Sequence, residues 1–344
     1  MTAGGVEGTT DAVGAAADAD GEAVLAVRDL RASVSSGAGR EVPIVRGVSF
    51  DVRAGETVAL VGESGSGKSF TALALMGLLP DGARVTCGSV RLGGRDLLGL
   101  DARARRASRG ADIAMIYQDP MTSLNPLMRV GDQVVEGLEA HGTRGSAARR
   151  RTLDTLAEVS LPDPERLARS YPHQLSGGQR QRVMIAMAVA LRPRVLIADE
   201  PTTALDVTIQ QQILTLVDSL ARRTGLAVIW ITHDLGVVAR IARRVLVMYA
   251  GRLVESGPSR ALFRTPQHPY TTGLLRSLPP MRGDERPPLP QVGGAPPDIA
   301  ALPAGCAFHP RCPQRIDQCV REEPVLEQRG TNLAACWVPR DRWV

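Results

Sequence analysis

One eight-residue stretch, GESGSGKS at 62–69, restricts the fold more than any other feature of this chain. It matches the pattern G-x-x-x-x-G-K-S/T, follows the apolar run 57–61 and precedes a helix-like segment, 70–79, that ends before Pro80. A buried strand, a glycine-rich loop and a helix in this order direct several backbone N–H groups toward one point, which suits an anion such as phosphate. The sequence therefore predicts an α/β domain with a phosphate-binding loop.

The loop holds Lys68, the single lysine among 41 basic residues, of which the other 40 are arginine. An ammonium group is a compact charge on a flexible stem, whereas a guanidinium group is a wide planar fork. A narrow phosphate cradle therefore favours lysine, which would reach the β- and γ-phosphates while the Ser69 hydroxyl faces Mg²⁺. The residues expected to bind the phosphates are Gly62, Ser64, Gly65, Gly67, Lys68, Ser69 and Thr71.

Size and charge limit the classes of function. With 344 residues, the chain is long enough for one large domain and an appendage, or for two domains. The net charge is +5, but the charges are spread along the chain and only 3% of residues are aromatic, so no nucleic acid is expected as a partner. Nucleotide phosphates and a membrane surface match better. No apolar stretch approaches the length of about 18 residues expected of a membrane span.

Short apolar runs alternate with helix-like segments over residues 24–265, which predicts a largely parallel sheet covered by helices. A helical block near 120–180 is expected to be an inserted subdomain. Residues 1–23 lack the pattern of a secretory signal and are expected to be a disordered tail. Prolines and cysteines mark residues 266–344 as a C-terminal extension. The predicted strands are 24–27, 33–34, 48–52, 57–61, 195–198, 227–231 and 245–248.

Two acidic residues, Asp199 and Glu200, follow the apolar strand 195–198. This order places both carboxylates at the carboxyl edge of the sheet, beside the expected phosphates. Asp199 is the candidate for holding Mg²⁺, directly or through water, and Glu200 is the candidate general base that activates water. The alternative is that the pair caps the next helix, which Pro201 would suit.

A second anion-binding surface is predicted at 175–179, with the sequence LSGGQ, ahead of a predicted helix at 180–191. A serine and two glycines at a helix N-terminus leave backbone N–H groups free to bind an anion. An ordinary flexible loop would also explain this segment on its own. Two such helix starts in one chain need a further explanation.

Together these motifs resemble those of the ATPase subunits of ABC transporters. They occur in the order typical of that family and cover roughly residues 24–260. The matching motifs are the Walker A loop at 62–69, the Q-loop at Gln118, the signature motif at 175–179, the Walker B strand at 195–200, the D-loop at 204–206 and the switch histidine at His233.

The resemblance implies a P-loop NTPase fold, in which a RecA-like core carries an antiparallel β subdomain and an α-helical subdomain. It implies hydrolysis of ATP with Mg²⁺ between two ATPase domains that face head to tail, each Walker A loop opposing the signature motif of the partner. Gln118 would help hold Mg²⁺, His233 would contact the γ-phosphate, and both would act with Glu200 in catalysis. The signature and D-loop residues implied in nucleotide binding are Ser176, Gly177, Gly178, Gln179 and Asp206.

Three stretches, 118–126, 199–212 and 268–271, resemble the D-type ATPase of the oligopeptide/dipeptide importer branch. This resemblance implies a peripheral protein on the cytoplasmic face of the plasma membrane. Its partners would be a second ATPase subunit, two permease subunits and an extracytoplasmic peptide-binding protein. The alternatives are a nickel importer of the same branch, a soluble mechanical ATPase acting on ribosomes or DNA, and a regulator that binds nucleotide without turnover.

Four of the five cysteines, Cys306, Cys312, Cys319 and Cys336, lie in the C-terminal extension, and Cys87 is interpreted as structural. With 5, 6 and 16 residues between them, the four lack the close pairs usual in structural zinc sites. The extension resembles that of the importer branch, which implies that these thiolates could hold a 4Fe–4S cluster. Free thiols without a metal are the alternative.

One position departs from the family pattern. Members usually place an aromatic ring in the first strand to stack on adenine, and Val34 occupies that position here. The chain is therefore expected to lose a stacking interaction of about 1 kcal/mol and to select its nucleobase less strictly.

Overall fold

The structure is a computed structural model that describes residues 23–35, 39–118, 123–203, 205–278 and 292–343. Residues 1–22 of the predicted tail lie outside the described residues. So do 119–122 of the stretch after Gln118, Ala204 of the predicted D-loop and residues 279–291 of the proline-rich segment.

The described residues form two sheets. The strands, in chain order, are Ala23–Ser35 (β1), Glu41–Arg53 (β2), Thr57–Val61 (β3), Ala83–Leu92 (β4), Arg95–Asp96 (β5), Ile113–Ile116 (β6), Val195–Asp199 (β7), Ala227–Thr232 (β8), Arg244–Tyr249 (β9), Arg252–Pro258 (β10), Glu327–Arg329 (β11) and Asn332–Ala334 (β12). The smaller sheet is antiparallel, with the spatial order β2-β1-β4-β5. The larger sheet has the order β11-β12-β10-β9-β3-β8-β7-β6.

The larger sheet is parallel from β9 to its edge strand β6, as the sequence predicts. Strands β9, β3, β8, β7 and β6 run in the same direction, whereas the pairs β10–β9, β12–β10 and β11–β12 are antiparallel. Every residue of β3, β7 and β8 is buried, because the strands of a parallel sheet are covered on both faces. In the smaller sheet, the predicted strands 24–27 and 33–34 belong to one strand, β1, whose pairing is irregular around Asp29.

The helices are Lys68–Met76 (α1), Ala102–Ser108 (α2), Val130–Ala140 (α3), Gly145–Glu158 (α4), Pro164–Ala168 (α5), Gly177–Val189 (α6), Val207–Thr224 (α7), Leu235–Ile241 (α8), Ser259–Arg264 (α9), Pro269–Arg276 (α10) and Asp317–Arg321 (α11). The helix-rich segment predicted near 120–180 is present as α3, α4, α5 and the start of α6, packed around buried leucines. Within the described ranges, no helix combines the length and apolar character needed to cross a membrane.

Two helix boundaries differ from the sequence prediction because of local capping. Helix α1 stops at Met76, where Gly77 adopts the left-handed conformation and the N–H groups of Gly77 and Leu78 bond to carbonyls of the last turn. The glycine thus ends the helix before Pro80 does. Helix α6 begins at Gly177, because the Ser176 side chain caps it.

The carboxyl ends of the parallel strands meet at one edge of the larger sheet. In the observed register, Val61 pairs with both Thr232 and Val247, and Asp199 pairs with Ile231. The segments that follow β3, β6, β7 and β8 therefore emerge side by side. This edge gathers residues that are far apart in the sequence.

The C-terminal extension is part of the same packed structure. Strand β12 pairs with β10, and β11 pairs with β12, so the extension completes one side of the larger sheet. The Phe308 ring lies 5.3 Å from that of Tyr249 and 5.4 Å from that of Tyr270. The composition changes near Thr265, but the sheet continues across that position.

Candidate active site

The loop 62–69 turns sharply between β3 and α1. A Cβ atom at Gly62 would lie 2.2 Å from the Met248 carbonyl oxygen, so only glycine fits there. Lys68 is buried, and its Nζ donates hydrogen bonds to the carbonyl oxygens of Gly62 at 2.8 Å and Glu63 at 2.9 Å. Burial lowers the pKa of Lys68, while three nearby carboxylates oppose this effect. The single lysine is therefore placed inside the glycine loop, as predicted.

Ser69 and Asp199 connect the loop to the end of β7. The Ser69 hydroxyl donates a hydrogen bond to Oδ1 of Asp199 at 3.1 Å. Burial raises the pKa of Asp199, although the bond from Ser69 opposes this shift. Hydroxyl and carboxylate oxygens are ligands that Mg²⁺ prefers, so this pair of donors fits the metal expected beside a triphosphate.

Glu200 is the centre of a polar cluster. Its Oε2 accepts hydrogen bonds from Nε2 of Gln118 at 3.2 Å and from the Thr203 hydroxyl at 3.0 Å, and its Oε1 lies 3.0 Å from Nδ1 of His233. The backbone N–H of Glu200 donates to the Ile231 carbonyl oxygen at 2.9 Å. The predicted residues Gln118, Glu200 and His233 are thus in direct contact.

The environment of Glu200 keeps its carboxyl group ionised. Burial by itself raises the pKa of Glu200, but hydrogen bonds from His233 and Thr203 outweigh it, and the pKa lies below its ordinary value. A carboxylate that is ionised at neutral pH is able to accept a proton from water.

Neither Asp199 nor Glu200 caps a helix. The next helix, α7, begins at Val207, and its N-cap is Asp206, whose Oδ1 accepts the N–H of Ile209 at 2.9 Å. The alternative in which the acidic pair caps the following helix is therefore wrong. Asp206 uses its carboxylate for capping, and its part in nucleotide binding stays a prediction.

The remaining predicted residues of the loop differ in exposure. Ser64 and Gly65 are exposed at its tip, and Gly67 directly precedes α1. Thr71 is fully buried, and its hydroxyl donates to the Gly67 carbonyl oxygen at 2.9 Å. Thr71 therefore stabilises the turn, and its expected contact with phosphate stays a prediction.

The second predicted anion-binding surface lies at the N-terminus of α6. Ser176 and Gln179 form a reciprocal cap: the Ser176 N–H donates to Oε1 of Gln179 at 3.0 Å, and the Gln179 N–H donates to Oγ of Ser176 at 3.3 Å. Gly177 and Gly178 lie in the first turn, where Gly178 approaches Ile209 closely. The Ser176–Gln179 cap stands at the N-terminus of α6, whereas the loop 62–69 leads into the N-terminus of α1, so the two surfaces belong to different helices.

Sequence reasoning missed three residues that hold the site. Thr203 follows Glu200 by three residues, and its position in the turn could have indicated the contact. Tyr270 and Arg311 bind Glu63 from the extension at 2.8 Å and 2.6 Å. No local signal in the sequence connects residues this far apart.

The cysteines do not form the predicted metal site. The part of the chain that the structure describes has no group of three or more His, Cys, Asp or Glu side chains placed to hold a metal ion. Burial raises the pKa of Cys306 to about 11 and that of Cys312 to about 12. The described residues thus give the predicted 4Fe–4S cluster no support. Cys87 is exposed, and its interpretation as a structural residue stays a prediction.

The polar cluster and the phosphate loop lie at the carboxyl edge of one parallel sheet, which is the architecture of a P-loop ATPase. A family model described as "ABC transporter" matches residues 45–203, and one described as "Oligopeptide/dipeptide transporter, C-terminal region" matches residues 254–319. The described residues of both matches lie in one packed unit.

The chain is 50% identical over 326 residues to the dipeptide transport ATP-binding protein DppD of Bacillus subtilis (strain 168), covering 93% of this chain and 96% of that protein. It is 48% identical over 319 residues to the oligopeptide transport ATP-binding protein OppD of Escherichia coli (strain K12), covering 92% and 94%. A dimeric structure of the ATP-binding cassette MJ0796, bound to ADP and Pi, has a TM-score of 0.61 and 28% identity, covering 69% of this chain and 99% of that one.

The chain belongs to the family of ABC transporter ATP-binding subunits. It is an ATPase that uses ATP and Mg²⁺, and the predicted ABC ATPase fold is confirmed.

Proposed function

We propose that this chain is the ATP-hydrolysing subunit that powers the import of dipeptides or oligopeptides across the plasma membrane, from a position on its cytoplasmic face. The observation that carries the proposal is the match of residues 254–319 to the C-terminal region of oligopeptide/dipeptide transporters. The soluble mechanical ATPase and the non-hydrolysing regulator offer no account of this region.

In the proposed mechanism, the loop binds the triphosphate. Backbone N–H groups of 62–69 and the Lys68 ammonium group contact the phosphates, after Lys68 exchanges the carbonyl oxygens of Gly62 and Glu63 for phosphate oxygens. Ser69, Asp199 and Gln118 would hold Mg²⁺, which would supply positive charge against the phosphate oxygens. Ser64, Gly65, Gly67 and Thr71 shape the loop.

Glu200 acts as the general base. Its ionised carboxylate accepts a proton from the attacking water, and the hydrogen bond from Thr203 fixes its orientation. His233 lies beside Glu200 and is exposed, so its side chain is free to turn toward the γ-phosphate. Gln118 contacts the same carboxylate. Because residues 119–122 directly follow Gln118 in the chain, we propose that Gln118 couples the site to the membrane subunits.

The signature residues complete the site of a second ATPase subunit. Ser176, Gly177, Gly178 and Gln179 present the N-terminus of α6, a helix start distinct from that of α1 after 62–69, and this second anion-binding surface supports a role opposite a partner. Asp206 lies near that surface. The proposed complex contains a second ATPase subunit, two permease subunits and an extracytoplasmic peptide-binding protein.

The test is to extract the tagged chain from native membranes in mild detergent and to identify the co-purifying proteins by mass spectrometry. We expect two multi-span permeases and a second ATPase. The purified complex, in vesicles with its binding protein, should then hydrolyse ATP faster when peptides are present. Stimulation by nickel instead would assign the chain to nickel import, and co-purifying ribosomal or DNA-repair proteins would overturn the transport assignment.

A further inference from the structure

The C-terminal extension holds the phosphate loop through one ion pair. Arg311, only 5% exposed, donates from Nη1 to Oε2 of Glu63 at 2.6 Å and from Nη2 to Oε1 at 2.9 Å. Glu63 is the second residue of the loop, directly after Gly62. Two parallel charge-assisted bonds fix both the position and the direction of a carboxylate. The loop and the extension are therefore joined at the second residue of the loop.

Arg311 is itself held firmly. Its Nε donates to the Gly293 carbonyl oxygen at 2.7 Å, and its Nη2 donates to the Val292 carbonyl oxygen at 3.0 Å. The guanidinium group also lies 5.9 Å from the centres of the Tyr249 and Phe308 rings. A guanidinium group with these partners has little freedom to leave Glu63.

A second contact reaches the backbone of the same residue. The Glu63 N–H donates to the Tyr270 hydroxyl at 2.8 Å. Tyr270 is fully buried, and its ring lies 4.6 Å from that of Tyr249. The extension thus binds both the side chain and the backbone of Glu63, while Glu63 offers its carbonyl oxygen to Lys68.

The charge of Glu63 is unfavourable for a site that binds a polyanion. Its carboxylate is 24% exposed and close enough to act electrostatically on Lys68. Without a cation beside it, this carboxylate would repel a triphosphate held in the loop. Arg311 cancels that charge and keeps the carboxylate turned toward the extension.

We propose that Arg311 is a positioning residue for ATP binding: by neutralising and orienting Glu63, it lets the C-terminal extension set the affinity of the phosphate loop. This inference rests on the proposed role of 62–69 in binding the triphosphate. Arg311 acts through Glu63 and does not contact the nucleotide.

The experiment compares ATP binding and ATP turnover in full-length variants. Arg311→Met keeps the apolar stem and removes the charge, so we expect the Kd for ATP to rise at least about tenfold. The kcat should stay within about twofold, because the groups around Glu200 are unchanged. In Arg311→Met/Glu63→Gln, the repelling charge is also removed, and the Kd should return to within about threefold of the unaltered chain.

A matched control is Arg46→Met. It breaks another ion pair between the extension and the core, Arg46 with Glu323 at 2.8 Å, and leaves the loop contact intact. Its Kd should stay within about twofold of the unaltered chain. An equal loss in this control would show a general loosening of the extension and overturn the proposal.

Two further outcomes would overturn the proposal: unchanged ATP affinity in a folded Arg311→Met variant, and a double variant no better than Arg311→Met. If Arg311→Met does not fold, Tyr270→Phe provides a second test, because it removes one hydroxyl and keeps the ring packing. The Kd for ATP should still rise severalfold in this variant. An unchanged Kd would contradict the proposal. If the unaltered chain binds no ATP, the proposed function fails first, so the two failures are distinguishable.

Discussion

Glu200 shows how the chemistry at this site is fixed at the level of a single residue. Its backbone has φ of +47°, in the left-handed region that costs a non-glycine residue about 1 kcal/mol. The bond from its N–H to Ile231 and the bonds to its carboxylate hold it there. Strained backbone conformations are often found at active sites. The one at Glu200, beside the phosphate loop, is therefore consistent with a catalytic role for this residue.

Glu200→Gln tests the general base. The amide has nearly the same shape and cannot take a proton from water, so ATP should still bind while hydrolysis slows at least about 100-fold. Equilibrium binding of ATP and steady-state phosphate release measure the two effects. Glu139→Gln, an exposed change on α3, should leave both unaltered. Near-normal turnover in Glu200→Gln would remove Glu200 from the mechanism.

Thr203→Val tests the cause of the lowered pKa of Glu200. Loss of the hydroxyl bond makes the carboxylate easier to protonate, so its pKa should rise. In a plot of kcat against pH, the acidic limb should therefore move to higher pH. The kcat at neutral pH should change less than the kcat at acidic pH. The measurement is kcat against pH, and Thr215→Val on the exposed face of α7 serves as the control. An unmoved acidic limb would contradict this account.

Val34→Phe tests the missing adenine partner. Val34 lies in β1, half-buried, paired with Val42 and Ala83. An added ring should stack on the base and tighten ATP binding about fivefold, from about 1 kcal/mol of stacking. Tripolyphosphate, which has no base, provides the internal control, because its affinity should not change. Equal tightening for both ligands would mean that the ring acts elsewhere.

At the level of elements, the sequence predicted the strands whose formation depends on residues that are neighbours in the chain. The run 57–61 is apolar throughout and forms the buried strand β3, and 195–198 does the same in β7. The start of α6 was missed because the Ser176 cap places the two glycines inside the helix. The convergence of Asp199, Glu200 and His233 could be predicted, since parallel strands bring their carboxyl ends together.

The contact between β10 and β12 depends on a buried carboxylate that the sequence did not reveal. Glu255 is fully buried and accepts bonds from the N–H groups of Gln267 and His268 and from Nδ2 of Asn332 at 2.9 Å. These donors come from two segments, 267–268 and 332, and only the folded chain brings them to Glu255. Burial raises the pKa of Glu255, and the hydrogen bonds oppose this shift.

Asn332→Ala should lower the free energy of unfolding by about 1–3 kcal/mol at neutral pH, because a buried carboxylate loses a donor. The pKa of Glu255 should then rise further. A raised pKa stabilises the folded state below that pKa and loses this contribution as pH increases, so the deficit should shrink on acidification. Urea unfolding at two pH values measures it. Gln328→Ala, on exposed β11, should change little, and an equal effect there would contradict the assignment.

At the scale of the whole molecule, the composition of the chain indicates a boundary that its long-range contacts cross. Thr265 marks a change in composition, but Arg311 reaches back to Glu63, 248 residues away in the sequence. The sequence could locate the extension but not its docking surface, because long-range contacts leave no periodic pattern. The extension and the core behave as one packed structure.

A chain that ends at Thr265 should therefore be less stable than the full chain and bind ATP more weakly. It lacks β12, Tyr270 and Arg311, and it exposes buried apolar side chains around Tyr249 that pack against Tyr270 and Phe308 in the full chain. Thermal unfolding and ATP binding measure the two losses. Deletion of residues 2–22, which leaves β1 intact, is the matched control and should change neither. A truncated chain as stable as the full one would show that the extension is a separate unit.

The pairing of β12 with β10 also has a consequence for the making of the protein. Strand β10 ends at Pro258, whereas its partner spans Asn332–Ala334, close to the last residue of the chain. During synthesis the ribosome releases β10 long before β12 exists, and an open strand edge is a template for pairing with other chains. The nascent protein therefore passes through an interval in which the open edge of β10 can pair with a strand of a neighbouring chain, until Asn332–Ala334 has been synthesised.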